Sequence, residues 1–118
     1  MPTPEKATLL RLHLSEHDRH EGKPLYEAIV DRARQLGIAG ATVFQGLEGY
    51  GETAELRRKR LLRRDQPVVV MIVDTPANIA RLIPEIEPMM DTGLIAASEV
   101  ECIRIQRPAA GREVPSAG

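Results

Sequence analysis

The chain has 118 residues and a mass of 13.0 kDa, enough for one domain with one buried core. Hydrophobic residues make up 42% and charged residues 28%, which excludes an intrinsically disordered chain, and no apolar run approaches the roughly 20 residues of a spanning helix. A formal net charge of −1, a single cysteine and 3% aromatics without tryptophan exclude a global field for nucleic acid, an internal disulfide and a stacking platform for single strands.

Residues 1–6 lack the apolar segment of a signal peptide and are expected as a flexible N-terminus, which leaves the cytoplasm as the default compartment, without membrane insertion. From residue 8 to 14, Leu10, Leu12 and Leu14 alternate with Leu9, Arg11 and His13, the period of two that marks a strand. Pro24 suits a first helical position, Leu25, Ala28, Ile29, Ala33 and Leu36 share one helical face, and Gly37 is a natural stop. A second strand is expected over 41–47, broken by Gly46, Gly49 and Gly51. Residues 68–73 form a continuous apolar run of the kind buried on both faces, the third strand.

Thr75-Pro76 opens a second helix, with Ile79, Leu82, Ile83, Ile86, Met89 and Met90 as its apolar face and a bend expected near Pro84. A fourth strand is expected over 99–105, and residues 107–118 read as a flexible C-terminal tail. The order βαββαβ predicts an α+β fold over 7–106, a ferredoxin-like sandwich whose antiparallel four-stranded sheet carries two helices on one face. The outer face of the third strand then needs a cover, and a symmetric subunit partner is the expected one.

Six of the basic residues fall in one run, Arg57, Arg58, Lys59, Arg60, Arg63 and Arg64, leaving 10 basic against 17 acidic residues elsewhere. Clustered guanidinium groups match phosphates, and the same run also suits a solvated strand edge or a nucleic-acid-binding module. Residues 52–64 are accordingly expected to be the least ordered internal segment. His13, His17 and His20 with Glu16, Asp18 and Glu21 have the chemistry of a metal site but no fixed ligand spacing, so a solvated polar turn is expected there, with no metal and no cofactor. A metal-binding trimer is the alternative use of that cluster. Arg104 can contact a phosphate or pair with Glu99 or Glu101, and Cys102 reads as a small buried apolar residue. No nucleophile elbow, Walker phosphate loop or zinc-protease motif is present, so a binding protein is expected rather than an enzyme.

The segment Gly22-Lys23-Pro24-Leu25-Tyr26-Glu27-Ala28-Ile29-Val30, followed by Gly40-Ala41-Thr42-Val43 and Gly46-Leu47-Glu48-Gly49-Tyr50-Gly51, resembles the family known as domain of unknown function 190. That family is grouped by fold with the PII-like signalling proteins, which are trimers of ferredoxin-like subunits. Asp91-Thr92-Gly93-Leu94-Ile95 and Cys102-Ile103-Arg104-Ile105 resemble the turn and last strand that, with the end of strand two, line an inter-subunit nucleotide cleft in PII proteins. The resemblance implies a cytoplasmic homotrimer that binds a small anionic effector, an adenine nucleotide being the model, and presents a loop to a protein partner such as a transporter. It places ligand contacts at Gly46, Gly49, Gly51, Thr92, Gly93 and Arg104, and the charge of the basic run adds Arg57, Arg58, Lys59 and Arg60 as candidate phosphate contacts. PII proteins continue the second turn with a glycine- and lysine-containing phosphate loop, whereas Leu94-Ile95-Ala96-Ala97-Ser98 has neither, which implies weaker phosphate binding.

Overall fold

The computed structural model describes residues 3–46 and 66–107. Its central strand, β1 (Glu5–Ser15), carries the Leu10, Leu12, Leu14 alternation and pairs on both sides. A two-residue hairpin, β2 (Arg19–His20) and β3 (Lys23–Pro24), precedes helix α1 (Leu25–Gln35) and had no signal in the sequence pattern. Pro24 stands one position before the helix rather than at its first turn, and Leu36 closes it. Strand β4 (Thr42–Gln45) and strand β5 (Pro67–Asp74) follow, then helix α2 (Pro76–Ile86), a 3-10 turn at Glu87–Met89 and strand β6 (Leu94–Cys102).

The sheet order is β4-β5-β1-β6, with every neighbouring pair antiparallel. Register places Leu10, Leu12 and Leu14 opposite Ile72, Val70 and Val68, and all six side chains are buried. Leu25, Ile29 and Ala33 of α1 and Ile79, Leu82 and Ile86 of α2 complete that cluster, so both helices cover one face of the sheet. The ferredoxin-like α+β fold expected from the element order is the one observed. Burial of a side chain of this size stabilises by roughly 1.5–3 kcal/mol, which makes this layer the main source of stability.

Two expectations change. Within the chain, β5 is buried on one face only: Val69 and Met71 are half-buried and Val73 is exposed, because the helices reach only the Val68, Val70, Ile72 side. The last strand lies at 94–102 rather than 99–105. The alternation of Ile103 and Ile105 mimics a strand, but Cys102 already pairs with Glu5, where β1 begins, and Pro4 before it has no N–H to continue the ladder. Leu94 to Ser98, by contrast, gain strand geometry from pairing with His13 to Leu9, a case of tertiary context overriding weak local propensity.

Helix α2 starts where Thr75-Pro76 predicts: the Thr75 hydroxyl oxygen accepts the Asn78 N–H at 3.1 Å. It runs through Pro84 without losing its helix assignment. Pro84 and Ala80 both face solvent, so the Ala80 carbonyl that loses its helical donor is open to water. Pro88 falls in the 3-10 turn, where the α-helix has already ended.

Candidate functional site

The antiparallel register sorts the expected site residues to two ends of the sheet. Gly46 follows β4 and Thr92-Gly93 precede β6, at the end where β1 finishes. Arg104 follows β6 at the opposite end, beside the start of β1 and the finish of β5. The stretch of β1 between Thr8 and Ser15 alone spans about 23 Å at the usual rise per residue. One subunit therefore does not bring Arg104 to Gly46 or Thr92-Gly93. Gly49, Gly51, Arg57, Arg58, Lys59 and Arg60, with the rest of the basic run and the 52–64 segment, lie outside the described residues.

Of the glycines expected at the site, the two among the described residues, Gly46 and Gly93, have packing roles in the chain itself. Gly46 donates its N–H to the Pro67 carbonyl at 2.7 Å, and a Cβ there would stand 2.8 Å from Pro67 Cγ. Gly93 has φ +130°, and a Cβ on it would stand 2.7 Å from the His13 carbonyl oxygen.

At the Arg104 end the sheet carries a cavity of about 410 Å³, on the face that the helices leave open. Ala39, Gly40 and Thr42 form one wall, Met71 and Val73 of β5 the floor, and Cys102, Ile103 and Arg104 the other wall. Cys102 and β5 are separated by β1 in the sheet, so the chain beyond β6 must turn back across this end to line one cavity with Val73. The burial of Ala7, on the same face of β1, fits that crossing. Chemically the lining is an apolar floor with one guanidinium at its rim, suited to a ligand with a flat apolar part and an anionic part. Cys102 is a half-buried free thiol here rather than a core residue.

Among the described residues Arg104 makes no ion pair with Glu99 or Glu101, the expected partners, and its charge instead bears on the Asp74 carboxyl. Burial pushes the Asp74 carboxyl up, but the N–H groups of Ala39 and Thr75, the Asn78 amide and the Arg104 charge together hold it below the ordinary carboxylate value. Sequence reading missed Asp74, along with Ala39, Met71 and Val73. Its signal was an acid ending an apolar strand run directly before a Thr-Pro helix start, which reads as no more than a turn.

The histidine-rich turn lies at the far end. His17 pairs with Glu16 at 3.7 Å and His20 with Glu21 at 3.8 Å, each with its sequence neighbour. Asp18 is turned inward: its side chain accepts the Ser15 N–H at 2.9 Å and its carbonyl accepts the Leu25 N–H at 2.8 Å, which ties β1 to α1. Among the described residues no group of three or more His, Cys, Asp or Glu side chains is placed to hold a metal ion. No helix among them is long and apolar enough to cross a membrane.

A four-stranded antiparallel sheet with two helices on one face, connected in this order, is the fold of the PII-like proteins. CPII, a nitrogen regulatory PII-like protein from Thiomonas intermedia K12, has it: its structure with ADP and bicarbonate matches with a TM-score of 0.64 at 16% identity, covering 88% of this chain and 95% of that one. The chain belongs to the DUF190 family, described as Uncharacterized ACR, which matches residues 7–102. It is 44% identical over 100 residues to a UPF0166 protein of Aquifex aeolicus (strain VF5), covering 83% of this chain and 94% of the relative. A second relative, UPF0166 protein MJ1524 of Methanocaldococcus jannaschii, is 37% identical over 97 residues, covering 80% of this chain and 89% of its own length.

Proposed function

We propose that this chain is a PII-like regulatory protein of the cytoplasm, a homotrimer that binds a small anionic effector, with adenine nucleotide as the leading candidate, and presents the loop after Gly51 to a protein partner such as a transporter. The observation that carries this reading is the Arg104 cavity, because it opens on the sheet face whose apolar residues remain uncovered within one chain. A neighbouring copy seated on that face would bring its own Gly46, Thr92 and Gly93 toward Arg104, which a single chain holds at the other end of the sheet. Cations of the basic run, Arg57, Arg58, Lys59 and Arg60 with Gly49 and Gly51 at its entry, would then close over the anionic part of the ligand. The PII-like CPII bound to ADP and bicarbonate supports the choice of ligand class. This reading is of a binding protein without catalysis, in which the effector shifts the loop between conformations.

The test is calorimetry with ADP on the full chain and on Arg104→Ala. Binding is expected to be weak, because the segment after Gly93 is strand β6 without a lysine or glycine from Leu94 to Ser98. Loss of one charge-assisted contact at Arg104 should weaken it about tenfold or more. Tight binding unaffected by the substitution would place the ligand elsewhere, and no binding at millimolar ADP would retire the nucleotide reading.

A further inference from the structure

Asp74 does not line the Arg104 cavity, yet it is bonded to one of its walls through Ala39. Its Oδ1 accepts the Thr75 N–H at 2.6 Å and the Asn78 side-chain amide at 2.9 Å. Its Oδ2 accepts the Ala39 N–H at 2.9 Å, across 35 residues of sequence. Helix α2 does not need this carboxylate to begin, since the Thr75 hydroxyl already caps it and Pro76 has no N–H to satisfy. The Ala39 bond is of another kind, because it pins the segment that leaves α1 and leads through Gly40 into Thr42, both cavity residues. The same segment is held further back by Arg81, whose guanidinium donates to the Leu36 carbonyl at 3.0 Å.

We propose that Asp74 is a positioning residue of the effector cavity, fixing the wall of residues 39–42 against Met71 and Val73 through its bond to the Ala39 N–H. The proposal rests on the Arg104 cavity being the effector site. Electrostatics makes it separable from a simple charge effect. A carboxylate beside the cavity wall repels an incoming anion, so on charge alone its removal strengthens anion binding by Coulomb's law. Positioning demands the opposite sign, since a wall free to move loses its fit to the ligand.

The experiment titrates ADP into the full chain and its Asp74→Ala and Asn78→Ala variants, and follows amide exchange at Ala39 and Ile79. Asp74→Ala is expected to speed exchange at Ala39 and weaken ADP about tenfold, the scale of one lost hydrogen bond. Ile79, whose N–H bonds the Thr75 carbonyl at 3.0 Å, should keep its protection. Asn78→Ala removes the Asn78 bonds to Asp74 Oδ1 and to Arg81 but spares the Ala39 bond, so it should weaken ADP clearly less than Asp74→Ala does. Unchanged or tighter ADP binding by Asp74→Ala overturns the proposal and leaves the cavity reading standing. Equal losses in the two variants, or equal acceleration at Ala39 and Ile79, overturn it as well, as general loosening of α2. An unaltered chain that fails to bind millimolar ADP removes the nucleotide reading, and the role of Asp74 with it. If Asp74→Ala does not fold, Asp74→Asn, which cannot accept hydrogen bonds on both sides, takes its place with the same readings.

Discussion

Gly93 places the chain's second helix relative to its last strand. At φ +130° it occupies backbone space that side chains rarely reach, and the site of its absent Cβ is crowded by the His13 carbonyl and by Met90 Cε at 2.9 Å. Backbone strain of this kind costs about 1–3 kcal/mol, and the His13 carbonyl belongs to the central strand, which cannot easily give way. Gly93→Ala should therefore lower stability by about that amount, read as a fall in the urea midpoint at unchanged slope. A midpoint equal to that of the unaltered chain would mean that β6 can shift its entry at no cost. In the sequence Gly93 read as a ligand-approach glycine; its packing partner, 80 positions earlier, could not be read there.

At the scale of elements, the Asp74 carboxylate ties the junction of β5 with α2 to the loop after α1. Asp74 is held below its ordinary value of 3.8 because burial, which raises it, is outweighed by its hydrogen bonds to Ala39, Asn78 and Thr75 and by the Arg104 charge. A carboxyl depressed on folding contributes stability that is fully present above its unfolded value and is lost as pH falls through the folded one. The acid limb of the stability curve, below about pH 4, should therefore be shallower in Asp74→Asn than in the unaltered chain. Denaturant midpoints between pH 2 and 6 would check this, and parallel limbs would place the acid sensitivity in other carboxylates. The Lys23–Asp31 pair at 2.7 Å also lowers an aspartate, chiefly through the Lys23 hydrogen bond. It lies on the surface, where such pairs contribute little.

At the scale of the whole molecule, the sheet face away from the helices carries exposed apolar side chains among the described residues. Phe44, Val73 and Leu94 are 50%, 42% and 53% exposed on it, with half-buried Leu9, Val69, Met71 and Val100 between them. Side chains of this type on one continuous face mark an interaction surface. Sedimentation should find the chain associated at micromolar concentration, as a trimer if it assembles like the PII-like proteins it resembles. Leu94→Glu should shift the distribution toward monomer, because a charge buried without a partner is strongly unfavourable. Monomer alone in the unaltered chain would remove the basis for a site shared between subunits.

The order of the main elements, though not the β2–β3 hairpin, was legible in the chain, as were the Leu10, Leu12, Leu14 alternation, the helical face from Leu25 to Ala33 and the Thr75-Pro76 start, because each is local: periodicity and capping depend on neighbours a few residues away. That the helices leave the outer face of β5 open was legible for the same reason, since two helices on one side cannot cover both faces. What only the tertiary structure decided is non-local. The end of β6 is set by where β1 begins, so Ile103 and Ile105 leave the sheet despite a strand-like pattern. The separation of Arg104 from Gly46 and Thr92-Gly93 follows from antiparallel register, and the Arg104 cavity from a chain crossing after Cys102. Asp74 gains its role from a donor 35 residues away. Contacts of that range depend on how the layers close on one another, and a one-dimensional pattern holds no record of that distance.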